Sequence, residues 1–255
     1  MTIASELSLA LDPALLMQAA GLSPDPWQAR VLRSTAKRQL LLTSRQSGKS
    51  TTAAVLALHQ ALYDPKSLGL ILSPSLRQSQ ELFRKIQEVY RALPFPPETD
   101  IENTLRLELP NGSRIISLPG KEETVRGFSG VSLLLVDEAA RVPDALYYSI
   151  RPMLAVSNGR LVCMTTPYGK RGFFFEEWEK GPNWERTKIT AHDCPRISRE
   201  FLDEERQSLG EHWFRQEYLC EFVETEDQLF GHDLIQSAFS DAVTPLFGDD
   251  DEARS

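Results

Sequence analysis

Short, largely apolar runs alternate along this chain with longer stretches whose apolar residues recur every three or four positions. The runs are 40–42 (LLL), 68–73 (LGLILS), 131–136 (VSLLLV) and 160–165 (RLVCMT). Apolar runs of this length, bounded by turn signals, predict buried strands. Between the first two, 51–59 is rich in Ala and Leu, and 76–93 carries Leu82, Phe83, Ile86, Val89, Tyr90 and Leu93 at helical spacing. Leu105, Leu107 and Leu109 alternate with polar residues up to Asn111-Gly112, and 114–118 returns, which predicts a hairpin. A short helix is expected over 12–20, stopped by Gly21, and another opens from the Pro-rich turn 22–28 and runs through Leu32. One last strand is expected over 186–190. Strand–helix alternation of this kind predicts an α/β fold with a mostly parallel sheet and helices on both faces.

From 198 onward the pattern turns helical, over 200–209 and, after Gly210, over 212–222. The expected organisation is therefore an α/β core over 1–192 and a small helical lid subdomain within 193–255. The acidic run 248–252 has no apolar partners and reads as a solvated tail rather than a metal cluster.

Composition narrows the picture. With 255 residues, 41% of them hydrophobic, the chain can bury a full core plus a small appendage. A net charge of −8 argues against a protein wrapped in nucleic acid, although a local basic patch remains compatible with it. Cys163, Cys194 and Cys220 are far apart and form no C-x-x-C pair, so a reduced, cytosolic protein is expected. The four histidines show no ligand spacing, no apolar run approaches a membrane span, and no signal peptide opens the chain.

The candidate chemistry begins at 39–52 (QLLLTSRQSGKSTT), an apolar strand running into Ser47-Gly48-Lys49-Ser50 and then a helix. That context makes a P-loop: successive backbone N–H groups and a helix N-terminus form an anion nest. Lys49 can reach the β- and γ-phosphates of a nucleotide, and the Ser50 hydroxyl can ligate Mg²⁺. The first glycine of the usual pattern falls on Thr43, so the entry turn is not the standard one. The run 131–138 ends in Asp137-Glu138, at the strand edge where α/β sheets bind ligands. Asp137 is assigned to the metal, through its waters, and Glu138 to the attacking water as base or orienting group. An Asp-Glu pair at a strand end can be a mere surface feature; its company with a P-loop favours the chemical role.

Other positions stay open on the residues alone. Trp27-Gln28 reads first as a helix-capping turn with a core tryptophan, although a Gln amide also suits the adenine edge. Thr165-Thr166 could sense a γ-phosphate, and a strand-ending turn explains them equally well. Arg126, beside Gly127 in the loop 122–130, reads as a solvated loop residue.

Taken together, the motifs resemble the ATPase domain of the large terminase subunit, the genome-packaging motor of tailed bacteriophages. They are Trp27-Gln28, Ser44-Arg45-Gln46-Ser47-Gly48-Lys49-Ser50-Thr51, Val125-Arg126-Gly127, 134–139 (LLVDEA) and Thr165-Thr166-Pro167-Tyr168-Gly169. Phe174, Trp178 and Gln216-Glu217-Tyr218-Leu219 complete the set. The likeness extends over nearly the whole chain and accounts for the missing first glycine. It implies a RecA/ASCE-type P-loop fold and hydrolysis of ATP with Mg²⁺. The product would be translocation of double-stranded DNA into a procapsid in the host cell cytoplasm, with no membrane partner. The implied partners are a portal protein, the small terminase subunit and further copies in a ring, expected to be pentameric, with the isolated chain possible as a monomer.

By the same resemblance, Gln28 contacts adenine, Arg45 faces the phosphates, and Thr165 and Thr166 couple hydrolysis to motion. Arg126 becomes an arginine finger for a neighbouring subunit's ATP, a group worth about 10³–10⁵ in rate. No nuclease domain is expected within the chain. Lys170, Arg171, Lys121 and Arg77 are the candidates for gripping DNA. Two alternatives remain: a helicase-like nucleic-acid-dependent ATPase, and a nucleotide-dependent assembly scaffold with little turnover.

Overall fold

Odd and even residues of the strands in the computed structural model face two different hydrophobic cores. Leu41, Ile71, Leu133, Leu135, Val162 and Met164 point to one face; Leu40, Leu42, Leu70, Leu134, Val136 and Cys163 point to the other. Period-two alternation makes each wholly apolar run useful on both sides of one sheet. The structure describes residues 2–120, 125 and 127–223. Arg126, Lys121 and the acidic run 248–252 lie outside the described residues.

The strands are β1 (Arg38–Thr43), β2 (Leu68–Ser73), β3 (Ile101–Glu102), β4 (Arg106–Glu108), β5 (Arg114–Pro119), β6 (Leu133–Asp137), β7 (Arg160–Thr165) and β8 (Glu185–Ile189). Their order is β3-β4-β5-β2-β6-β7-β1-β8. Only the pairings of β4 with β3 and β5 are antiparallel, as the Asn111-Gly112 hairpin predicts for the second. The others are parallel. A mixed α/β sheet of eight mostly parallel strands flanked by helices is therefore the fold.

One face is covered by α2 (Pro13–Ala19), α3 (Pro26–Arg33), α4 (Lys49–Tyr63) and α5 (Leu76–Ala92), and α1 (Ile3–Leu11) adjoins α2. The other face carries α6 (Asp144–Ile150) and α7 (Gly172–Glu179), where Tyr147 and Phe173 stack with ring centroids 3.9 Å apart. Helices α1, α6 and α7 are not expected from the sequence pattern. Helices α6 and α7 are short and fixed by packing rather than by periodicity, whereas α1 buries no residue and is opened by the Thr2 cap, whose side chain accepts the Ser5 N–H. Strand β7 lies between β1 and β6, which brings the ends of three chemistry-bearing strands to one edge of the sheet.

Beyond β8, α8 spans Arg199–Glu217 and is kinked at Gly210, whose φ of 76° interrupts it. The helical pattern expected to run to Phe222 stops at Glu217 instead. Tyr218 O accepts the Ala191 N–H at 2.8 Å and the Cys220 thiol donates to Ile189 O, so tertiary bonds draw the chain off the helix axis. Residues Met1–Val223 make one compact unit. Among the described residues, no helix is long and apolar enough to cross a membrane.

Candidate nucleotide-binding site

Residues 44–51 turn from β1 into α4 and line a cavity of about 860 Å³ that also touches Gln28, Glu138 and Thr166. Two residues of this loop, Gln46 (φ 58°) and Gly48 (φ 96°), are left-handed, which turns successive N–H groups toward a common centre. Position 48 requires glycine for a second reason. A Cβ there would lie 2.8 Å from Gln28 Nε2 and 3.0 Å from an Arg196 guanidinium nitrogen. Immediately after it, the fifteen-residue helix α4 presents its N-terminus to the cavity.

Lys49, the first residue of α4, reaches across the end of β7 to the two carboxylates closing β6. Its ammonium lies 3.0 Å from Asp137 Oδ1 and 2.5 Å from Glu138 Oε1. The three side chains are only 11%, 9% and 20% exposed. Burial by itself pushes the Lys49 value down, but the two carboxylates outweigh it and the net direction is upward. For Glu138, burial by itself pushes up; the Lys49 ammonium, with help from Arg141 and Arg45, carries the net direction downward. Glu138 is thus held as a carboxylate, in a left-handed backbone conformation (φ 48°) that aims it at the cavity.

Glu138 has a second partner that the sequence does not announce. Arg141, one turn further on, donates to Glu138 Oε2 at 2.9 Å and to Thr166 Oγ1 at 3.3 Å. Its guanidinium also lies 4.6 Å from the centroid of the Tyr168 ring, and Arg171 approaches the same ring at 5.3 Å. Thr166 lines the cavity and is bonded to Arg141 there, whereas the Thr165 hydroxyl bonds to Thr166 O at 2.7 Å and does not line the cavity.

Trp27 and Gln28 build the capping turn that the residues alone favour. Trp27 is a core residue of α3, 4% exposed. The Asp25 N–H donates to Gln28 Oε1 at 2.9 Å, while Gln28 Nε2 donates to Gly48 O at 3.2 Å and Thr52 Oγ1 at 3.1 Å. The amide group thereby ties α3 to the loop at Gly48 and to the first turn of α4 at Thr52. Arg196, missed by sequence reasoning, lines the cavity, and Glu217, named only as part of a motif, lies behind it. Arg196 donates to Asp25 Oδ1 at 2.7 Å and to Ser47 O at 2.9 Å, and Glu217 pairs with Arg45. An isolated arginine after Cys194-Pro195 carries no local signal, so only its contacts reveal it.

The site fits a phosphate-bearing ligand with a divalent cation. The Ser47 Oγ, in the loop itself, is buried without a hydrogen-bond partner, as are Thr43 Oγ1 and Ser73 Oγ at the ends of β1 and β2. Ser50 and Asp137 bring the oxygen donors that Mg²⁺ prefers. Among the described residues, no cluster of three or more His, Cys, Asp or Glu forms a ready metal cage.

A parallel sheet with a phosphate loop on one strand and paired carboxylates two strands away defines a P-loop nucleotide-binding protein of the α/β class. Residues 40–237 match the family model for the terminase large subunit, T4likevirus-type, N-terminal, so the chain belongs to that family. It is 30% identical over 252 residues to the terminase large subunit of Thermus virus P23-45, covering 84% of this chain and 52% of that protein. The chain thus spans about half the length of the curated relatives it matches. In structure it is similar to the large terminase ATPase domain of Thermus phage P74-26, with a TM-score of 0.71 and 27% identity, over 81% of this chain and 97% of that one. The large terminase of bacteriophage D6E in complex with ADP shares the fold, with a TM-score of 0.64 at 12% identity over 78% of this chain and 54% of that one.

Proposed function

We propose that this chain binds ATP in the 860 Å³ cavity and hydrolyses it, as the motor domain of a DNA-packaging terminase. The observation that carries the reading is Lys49 held between Asp137 and Glu138 at the mouth of an anion nest. A phosphate chain entering that nest offers Lys49 a stronger partner than either carboxylate. Glu138, released from the ammonium but still buried, then becomes a better acceptor for a water proton. Ser50 and Asp137 would hold Mg²⁺, which supplies charge neutralisation at the phosphates. The P74-26 relative is named an ATPase domain, and the D6E protein was solved with ADP and with ATP-γ-S, which supports the ligand class.

In this reading Gln28 exchanges one of its loop bonds for the adenine edge when nucleotide enters. Thr165 and Thr166 couple hydrolysis to motion, with Arg141 as the physical link from Glu138 to Thr166. Arg126 serves a neighbouring subunit in a ring, pentameric on a portal, in the cytoplasm of the host. Double-stranded DNA is the translocated substrate and the small terminase subunit delivers it. Arg77, Lys121, Lys170 and Arg171 remain the candidates to grip DNA; Arg77 and Arg171 are exposed and follow the ends of β2 and β7.

The test is steady-state ATP hydrolysis with Mg²⁺ by the wild type and Lys49→Ala, with DNA and portal added in a second series. Equal turnover by the two proteins would sink the site assignment. For Arg126, subunits carrying Arg126→Ala are mixed with subunits carrying Lys49→Ala. Recovered hydrolysis in the mixture supports a finger acting between subunits, and none in a confirmed assembly refutes it.

A further inference from the structure

Arg141 grips one oxygen of the Glu138 carboxylate while Lys49 holds the other. Its Nη1 donates to Glu138 Oε2 at 2.9 Å, and the Lys49 ammonium lies 2.5 Å from Oε1. The chain builds this second grip locally. Directly after Glu138, Ala139–Arg141 form a turn of 3₁₀ helix, closed by the Arg141 N–H on Glu138 O at 2.8 Å. Side chains three residues apart eclipse in such a turn, which sets Arg141 over the carboxylate. Ala139 is fully buried and fixes the turn to the core.

The two cations differ in what else holds them. Lys49 meets Asp137 and Glu138 through a compact charge on a flexible stem, which phosphate can draw away. Arg141 is tied at two further points. Its Nη1 also reaches Thr166 Oγ1 at 3.3 Å, and its guanidinium lies 4.6 Å from the centroid of the Tyr168 ring. Once Lys49 turns to a phosphate, Oε1 is freed on a side chain only 20% exposed. A carboxylate that buried, stripped of every partner, is a costly arrangement. Arg141 is the partner that stays. We infer that Arg141 is the positioning residue for Glu138: it keeps Oε2, leaves Oε1 as the free acceptor, and is itself braced by Tyr168. This inference rests on the nucleotide reading of the cavity, and deepens it by naming what holds the carboxylate once the ammonium has gone.

The experiment measures two quantities for the wild type, Arg141→Met, Glu138→Gln and the double variant, each with Mg²⁺, DNA and portal. One is ATP-γ-S affinity by calorimetry; the other is single-turnover hydrolysis of radiolabelled ATP with protein in excess. Arg141→Met is expected to slow hydrolysis about ten- to a hundredfold, the range for a misplaced reacting group, while affinity stays within about threefold. In the Glu138→Gln background the same change is expected to alter the rate by less than about twofold, because the carboxylate it positions is no longer there. An unchanged rate overturns the inference, and so does an equal loss in both backgrounds. Weaker binding at an unchanged rate overturns it too, by making Arg141 a phosphate ligand.

Should Arg141→Met fail to fold, Tyr168→Leu decides. Loss of the ring is expected to slow hydrolysis about three- to tenfold at unchanged affinity, and to have no such effect beside Glu138→Gln. An unaltered rate, or an equal loss in both backgrounds, refutes the bracing. A wild type that neither binds ATP-γ-S nor hydrolyses ATP sinks the nucleotide reading together with this inference. Hydrolysis indifferent to Arg141 and Tyr168 sinks the inference alone.

Discussion

Two cation–carboxylate clusters flank the phosphate loop, and they differ in what solvent does to them. The inner cluster joins Lys49 to Asp137 and Glu138, with all three side chains at most 20% exposed. The outer cluster joins Arg45 to Glu217 and Arg196 to Asp25, with both arginines about half exposed or more and both acids nearly buried. In the inner cluster the low effective dielectric makes every change of partner costly, so only a ligand of comparable charge can rearrange it. In the outer cluster the cations can leave at little cost, while the acids they abandon are penalised. One cluster is shielded from solvent and the other is open to exchange of partners.

The comparison can be broken most directly at Glu138. Glu138→Gln is expected to cut ATP turnover by about 10²–10⁴, the range for loss of a general base, while nucleotide affinity stays within about threefold. Normal turnover in that variant would place the water-handling group elsewhere. Next in size, Lys49→Ala should weaken ATP binding at least about a hundredfold, as two charge-assisted contacts are lost. Titration calorimetry checks it, and an unchanged affinity would remove Lys49 from the phosphate site.

The pH dependence of stability sharpens the electrostatic half of the contrast. Because Glu138 titrates below its ordinary value, its pairing stabilises the fold above the ordinary carboxylate range and is lost as pH falls through the lowered value. Lys49, raised above its ordinary value, gives up its share only as pH climbs beyond the usual lysine range. Thermal unfolding of Glu138→Gln should therefore lie below wild type at neutral pH and converge with it in acid. A constant gap at every pH contradicts the pairing. The smallest effect is expected at the outer wall: Arg196→Ala should cost no more than about 1 kcal/mol, shrinking as salt is raised. A loss as large as that at Lys49 would make Arg196 part of the inner machinery.

Much of the site was legible in the residues. Largely apolar runs ending in Thr43, Ser73, Asp137 and Thr165 mark strands buried on both faces, and the structure places all four ends on one edge of the sheet. Small residues between such a run and a helix marked the loop, because the left-handed backbone at position 48 (φ 96°) favours glycine. Gln28 shows where legibility stops. Its residue type suits both adenine and a helix cap, and only the observed bonds to Asp25, Gly48 and Thr52 show which partners it has here.

What the sequence by itself determined was local: the strands, the amphipathic helix α5, the hairpin at Asn111-Gly112, and the Gly-Lys-Ser and Asp-Glu segments. These depend on backbone preferences and periodicities that act within a few residues. What only the tertiary structure decided was which charges meet. Lys49 finds Glu138 across 89 positions, and Arg45 finds Glu217 across 172. Those pairings follow from β7 lying between β1 and β6 and from the turn that draws the end of α8 back to the loop. Strand order and burial are settled by the packing of the whole sheet, and no stretch of residues carries them alone.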